Sequence, residues 1–484
     1  MSTATRKNDS PSAKVRARLG HPVIDADGHM IELTPLLIDY VRQVGGAEVA
    51  RRYEESPALN SLYRQQVLRT SVKDRRDSWA TLTPWWGQAA ATLDRATAMI
   101  PRLLYDRMEE LGLDYAILFP TEGVNFLRHD EEMRLVGCRA HNLMAAELYA
   151  PYADKVTPAA MIPMHTPDEA IRELEYSVSE LGLKTIFCGG YVQRPIPKLL
   201  REHGQAGKLM TRMDYFGIDS EYNYDAFWAK CVELKVAPSF HSTESGWGSR
   251  RSVSSYVYNH IGGFAAGNEA FAKALFLGGV PRRFPTLRFA FLEGGASWAA
   301  GLYADILGHW AKRNGKVIQR LNPNNVDPAL FQQLLQEYGD EKIRSSMDQL
   351  MPFVTQKYPE PDRLDEFAAC EIETAEDIRE MYTGQFYFGC EADDPLNAIA
   401  FQGKVLPLGA QLRVVLGSDI GHWDVTHMNE VVAEGYALVE RGVLTEANFR
   451  DLAFGNAVRL LTAVNPDFFK GTFVEAAAER YLSK

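Results

Sequence analysis

An apolar pair, Val23-Ile24, leads straight into Asp25, Asp27, Gly28 and His29. Side chains alternate along an extended strand, so Asp27 and His29 leave it on one face as a carboxylate and an imidazole. Asp25 is read as pointing the other way. Four more apolar runs end in groups of the same kind: His241 after Val236 to Phe240, Glu293 after Leu287 to Leu292, Glu391 after Phe386 to Cys390, and Asp419 just past Leu412 to Leu416. Mixed nitrogen and oxygen donors suit zinc, manganese or ferrous iron better than calcium or magnesium. Such an ion lowers the pKa of bound water or polarises a carbonyl or carboxylate. Taken singly, His241 fits a hydrogen-bonded structural histidine and Asp419 fits a helix cap. Taken together they do not, because independent caps would not all fall at the ends of apolar runs. His260, in Tyr258-Asn259-His260-Ile261, adds one more imidazole. Asp27, His29, His241, His260, Glu293 and Asp419 would then serve one ion or two. Two ions favour hydrolysis, and one ion with a chelated carboxylate favours C–C cleavage.

These residues need a scaffold that brings strand ends together. After the opening strand, apolar runs recur at Tyr115 to Pro120, Thr157 to Met164, Lys184 to Cys188, Val236 to Phe240, Leu287 to Leu292, Phe386 to Cys390 and Leu412 to Leu416. Helical patterns at 94–111, 131–150, 168–181, 225–234 and 265–279 separate them. The spacing predicts a (β/α)8 TIM-type barrel, with long insertions after strand 1 (33–93) and between strands 6 and 7 (313–380). An open, doubly wound sheet is the rival arrangement. It would leave the outer strand ends far apart, whereas a barrel gathers the first, fifth, sixth, seventh and eighth on one rim. The expected organisation is a disordered tail over 1–20 and a single domain over 21–484. The charged stretch 340–380 is also expected to be disordered.

Composition narrows the class. The chain has 484 residues, 46% hydrophobic, with a net charge of -11, which argues against nucleic acid as the main partner. No apolar stretch is long enough to span a bilayer, and the first twenty residues lack the apolar segment of a secretory signal. Five cysteines without a CxxC pair argue against a disulfide scaffold or a structural zinc site. A cytoplasmic enzyme acting on a small molecule is the expectation. The helical 313–380 segment and the apolar C-terminal helices are expected to meet a second copy of the chain, giving a homodimer.

Several residues are candidates for substrate contact. Trp85 and Trp86 lie in the first insertion, over the rim, where they would wall an apolar pocket. Past His241 the glycine- and serine-rich loop carries Trp247 and ends in Arg250 and Arg251, a pair that would clamp a carboxylate or phosphate. His422, three residues past Asp419, would contact substrate or orient Asp419.

Four segments, in this order, carry a resemblance to a known family: Ile24-Asp25-Ala26-Asp27-Gly28-His29, Ser239-Phe240-His241, Phe291-Leu292-Glu293-Gly294-Gly295 and Leu416-Gly417-Ser418-Asp419. The chain resembles the amidohydrolase superfamily over about residues 21–465. It is most similar to the branch of aminocarboxymuconate-semialdehyde decarboxylase and the dihydroxybenzoate decarboxylases. The resemblance implies Asp27, His29, His241 and Asp419 as metal ligands. Asp27 stands where many members have histidine. Glu293 stands where many have a histidine acting as acid or base, so Glu293 takes that role or becomes a ligand. The leading expectation is a metal-dependent hydrolase acting on a small organic acid or its ester, thioester or amide. The alternative is a metal-dependent, non-oxidative decarboxylase of an aromatic or unsaturated acid.

Overall fold

The computed structural model describes residues 9–56, 69–82, 91–241, 251–359 and 364–483. Its strands are β1 (Ile24–Met30), β2 (Tyr115–Pro120), β3 (Val156–Ile162), β4 (Thr185–Gly189), β5 (Val192–Pro195), β6 (Thr211–Asp214), β7 (Pro238–His241), β8 (Phe289–Phe291), β9 (Phe386–Glu391) and β10 (Arg413–Gly417). Eight of them form one parallel sheet in the order β1-β2-β3-β4-β7-β8-β9-β10, and β5 and β6 form a separate antiparallel hairpin. The sheet curls so that β10 returns to β1. Across this seam the Asp419 N–H donates to the Asp27 carbonyl at 3.0 Å. The Ser418 N–H and hydroxyl donate to the Asp25 carboxylate at 2.9 and 2.5 Å. The expected (β/α)8 barrel is therefore present, and the open sheet is not.

Alternation along each strand sorts the core. Ala116, Leu118, Ile186, Phe240, Phe289, Phe291 and Leu416 pack with helix residues such as Leu104, Met108, Leu174 and Leu275. Their neighbours of opposite parity, Ile117, Phe119, Met161, Phe187, Ala290, Leu292 and Val415, fall in a second cluster, with the Phe119 and Phe187 rings 6.4 Å apart. Each fully buried Phe or Leu contributes about 1.5–3 kcal/mol, so the period of two that sets the pleat also drives closure. The same parity carries Ser239 and His241 inward with Ala237, to the C-terminal rim.

The structure departs from the sequence expectations in four places. The pattern at 94–111 is two helices, Thr92–Met99 and Pro101–Leu111, because Pro101 cannot donate inside a helix but is well placed in a first turn. Residues Pro11–Arg18, expected within a disordered tail, form a helix capped by Ser10, and Arg16 pairs with Asp114. The 340–380 stretch, expected to be disordered, contains the helices Glu341–Ser345, Met347–Val354 and Ala375–Gln385. The β5–β6 hairpin was not expected, and the Arg194–Asp214 ion pair locks its two strands together.

The insertion between β8 and β9 is uneven. The helices from Pro328 to Val354 contain no buried residue and leave Tyr338 and Phe353 largely exposed. All five cysteines are buried free thiols. Among the described residues no helix is long and apolar enough to cross a membrane.

Candidate metal centre

Strand β1 delivers Asp27 and His29 because its pleat is interrupted. A bulge lies between Asp25 and Gly28 in its pairing with β2. It turns the Asp25 carboxylate away from Asp27, towards Ser418 and back onto the Asp27 N–H at 3.2 Å. Gly28 makes this turn possible, since a Cβ there would sit 2.5 Å from Asp25 Oδ2. His241 is the last residue of β7. Glu293 lies two residues past β8, where strict alternation would send it outward. Its backbone instead adopts φ 55°, in the left-handed region, and Asp419 does the same with φ 48°. Non-glycine residues enter that region at a cost, which is commonly met at functional sites.

The side chains meet at one place. His29 Nε2 lies 3.0 Å from Asp419 Oδ1, and His241 Nε2 lies 2.8 Å from Glu293 Oε2. Asp27 Oδ1 is 3.9 Å from both imidazole nitrogens. All five side chains are less than a tenth exposed. Asp27 Oδ1, His29 Nε2, Glu293 Oε2 and Asp419 Oδ1 are buried and make no hydrogen bond. Buried polar atoms are normally satisfied, and unpaired buried charge costs several kcal/mol. A cation among these atoms would supply the missing partner.

The electrostatics agree. Burial, reinforced by Glu293 and Asp419 against the opposing pull of His241, pushes Asp27 well above the usual carboxylate range. Burial, then His422, pushes His29 down to about 3, leaving it neutral with a lone pair to give. Burial works to raise Asp419, but His422 and His29 outweigh it and hold its carboxyl low. Carboxylates crowded in this way repel one another, and a divalent cation removes the repulsion.

His422 flanks the cluster. Its Nδ1 is 2.5 Å from Asp419 Oδ1, its ring stacks on His29 at 3.8 Å, and its Nε2 is 3.3 Å from Thr121 Oγ1. His260 is not drawn into the cluster. Its Nε2 lies 3.8 Å from Asp424 Oδ2, and its ring packs on Tyr256, Phe264 and Trp423. Arg251 is half-buried beyond the loop that follows β7. Trp85, Trp86, Trp247 and Arg250 lie outside the described residues.

Three supporting groups escaped the sequence reading. Asp25 joins the first strand to the last, and its only signal was a second acid two residues before Asp27. Glu32, at the end of the same segment, accepts from the Glu122 and Gly123 N–H groups at 2.8 and 3.0 Å and lies 3.0 Å from His141 Nε2. Burial would raise Glu32, but His141 and those amides hold it below its ordinary value. This pair fixes the loop that begins at Thr121, and so the wall behind His422. Asp424 is pushed up to about 8 by burial and by Asp419 and Glu293.

Comparison with known proteins bears on the family and the fold. A family model described as amidohydrolase matches residues 76–382, a span that includes His241 and Glu293 and more than half of the chain. An amidohydrolase from Mycobacterium avium subsp. paratuberculosis K-10 aligns over 92% of this chain and 100% of its own, at 17% identity and TM-score 0.51. A 2,6-dihydroxybenzoate decarboxylase complexed with 2,6-dihydroxybenzoate aligns over 91% of this chain and 99% of its own, at 15% identity and TM-score 0.47. The dihydroxybenzoic acid decarboxylase of Polaromonas sp. JS666, with bound manganese and 2-nitroresorcinol, aligns over 93% and 99%, at 14% identity and TM-score 0.47. At these identities the likeness concerns the fold alone. No curated protein sequence matches the chain. Acids and imidazoles gathered at the rim of a parallel barrel, in groups that could hold a metal ion, and a family model that matches more than half of the chain lead to one conclusion: the chain belongs to the amidohydrolase family of divalent-metal-dependent enzymes.

Proposed function

We propose that the chain is a non-oxidative carboxy-lyase that removes CO2 from an aromatic or unsaturated carboxylic acid at a single-ion site. One observation carries this reading. Two donor groups can be drawn, Asp27–His29–His241 and His29–Glu293–Asp419–His422, and both need His29. The same atom, His29 Nε2, faces Asp27 and Asp419. A ring nitrogen has one lone pair, so the two groups describe one ion rather than two. His260, the reserve imidazole for a second ion, belongs to neither group.

Asp27, His29, His241 and Asp419 would hold the ion. When bound, the ion supplies a Lewis-acidic anchor for the substrate carboxylate. Glu293 Oε2, 2.8 Å from His241, is the group placed to move a proton. In this reading Oε2 gives its proton to the carbon that bears the carboxylate. The C–C bond then breaks, its electron pair stays with the organic fragment, CO2 leaves, and water returns a proton to Glu293. His422 steadies Asp419, and Thr121 steadies His422.

The test is metal content by mass spectrometry together with trapping of released CO2 from a panel of aryl and unsaturated acids. One ion per chain with CO2 release supports the proposal. Two ions per chain with a hydrolysed ester, thioester or amide and no CO2 returns the hydrolase reading.

A further inference from the structure

Glu293 reaches the donor cluster only because the chain turns against strand parity just after β8. Leu292, on which this turn pivots, is gripped from three sides. Its N–H donates to the Phe240 carbonyl of β7 at 2.9 Å. Its carbonyl accepts from Asn268 Nδ2 at 2.7 Å. A trans peptide sets its C=O and N–H in opposite directions, so this bond aims the Glu293 N–H away from Asn268 and towards β9. Gly389 of β9 leaves room there, since a Cβ on it would lie 2.8 Å from Leu292 Cα and 3.1 Å from the Glu293 nitrogen.

Asn268 is a polar side chain on an apolar face. It lies in the helix Gly263–Leu277, 2% exposed, and shares its buried face with Phe271, Ala272 and Leu275. A buried amide on such a face is costly unless it is hydrogen-bonded, and its Nδ2 is spent on the Leu292 carbonyl. Gly294 brings the far side of the turn against the same amide: a Cβ there would lie 2.8 Å from Asn268 Nδ2 and 2.7 Å from Trp298 Nε1. A non-glycine residue keeps a positive φ only where its surroundings over-determine it. Of the three grips on Leu292, one is strand pairing and one is the packing of a glycine. Asn268 supplies the one made by a side-chain hydrogen bond.

We propose that Asn268 is a positioning residue for Glu293: its hydrogen bond to the Leu292 carbonyl keeps Glu293 in the left-handed region and so keeps Oε2 against His241. It acts through the backbone, from a helix outside the donor set. The inference rests on the reading of Glu293 as the group that moves a proton, but the placement of Glu293 can be observed without turnover.

The experiment compares crystal structures and kinetics of the manganese-loaded wild type and Asn268→Leu, which deletes the donor at similar volume. In the variant, φ at Glu293 should leave the left-handed region and Oε2 should withdraw from His241 by about 1 Å or more, a displacement that costs about a hundredfold in kcat. KM for the fastest acid of the CO2-release panel should move by less than about threefold, and metal content not at all. Added to Glu293→Gln, which has no carboxyl to position, Asn268→Leu should lower kcat by less than about threefold. Gly294→Ala, which crowds the Asn268 amide from the other side, should displace Glu293 in the same way, and it carries the test if the leucine variant does not fold. A Glu293 that stays in place overturns the proposal, as does a wild-type kcat or an equal loss of kcat with and without the Glu293 carboxyl. A displaced Glu293 in a protein that releases CO2 from no acid supports the positioning role and overturns only the carboxy-lyase reading.

Discussion

The two halves of the barrel rim are built from opposite materials. On the side of β1, β7, β8 and β10 the strand ends carry charge, the backbone enters the left-handed region at Glu293 and Asp419, and buried polar atoms lack partners. On the side of β2, β3 and β4 the inward-facing positions carry Phe119, Met161 and Phe187, all of them fully buried. The apolar half is held by burial and would stand with any well-packed set of side chains. The charged half stands against its own repulsion, so its geometry depends on a guest and on the carboxylate clasp at the seam. A rim divided in this way separates stability from chemistry, and substitutions should separate them too.

The largest effect is expected from Asp419→Asn. It should abolish metal retention and lower CO2 release by at least about a thousandfold, roughly 4 kcal/mol of barrel-rim chemistry, while thermal unfolding of the metal-free protein changes little. If the variant carries wild-type metal, the charged half is not the ligand set. Phe187→Ala, in the apolar half, should do the reverse. It is expected to cost about 3–5 kcal/mol in denaturant unfolding and leave metal stoichiometry intact. Asp25→Ala tests the clasp between the halves. Stranding the Ser418 N–H and hydroxyl should cost about 1–3 kcal/mol and weaken metal affinity by about tenfold to a hundredfold, read by competition with a chelator. A stability loss with no change in affinity would mean that the clasp only closes the barrel. The smallest effect belongs to Tyr338→Ser, on the exposed helices of the second insertion. Stability should move by less than about 0.5 kcal/mol, and metal content not at all.

Much of this division was legible in the sequence, for a physical reason. Hydrophobic alternation sets which side chains face inward, and it is local, so the eight apolar runs and the ligand types at their ends could be read residue by residue. The barrel, the two insertions and the gathering of Asp27, His29, His241, Glu293 and Asp419 followed from that. What stayed hidden is non-local or conformational. Asp25 finds Ser418 across 393 residues, a partnership that no window of sequence displays. Glu32 and His141 meet only after β2 is in place. The turn at Glu293 depends on a dihedral angle that strand parity argues against. His260 sits close to the cluster in sequence order, but Asp424 and three aromatic rings claim it.

The clasp at the seam also sets a clock. Closing a loop between residues 25 and 418 is among the most entropically expensive contacts in the chain, and such contacts form late. A ribosome-bound chain that has emerged only as far as β9 already contains Asp27, His29, His241 and Glu293, but it lacks both Asp419 and the strand that carries it. With the proposed ligand set, high-affinity capture of the ion should therefore wait for the last barrel strand. Metal uptake during synthesis should rise as a late step and report on completion of the fold.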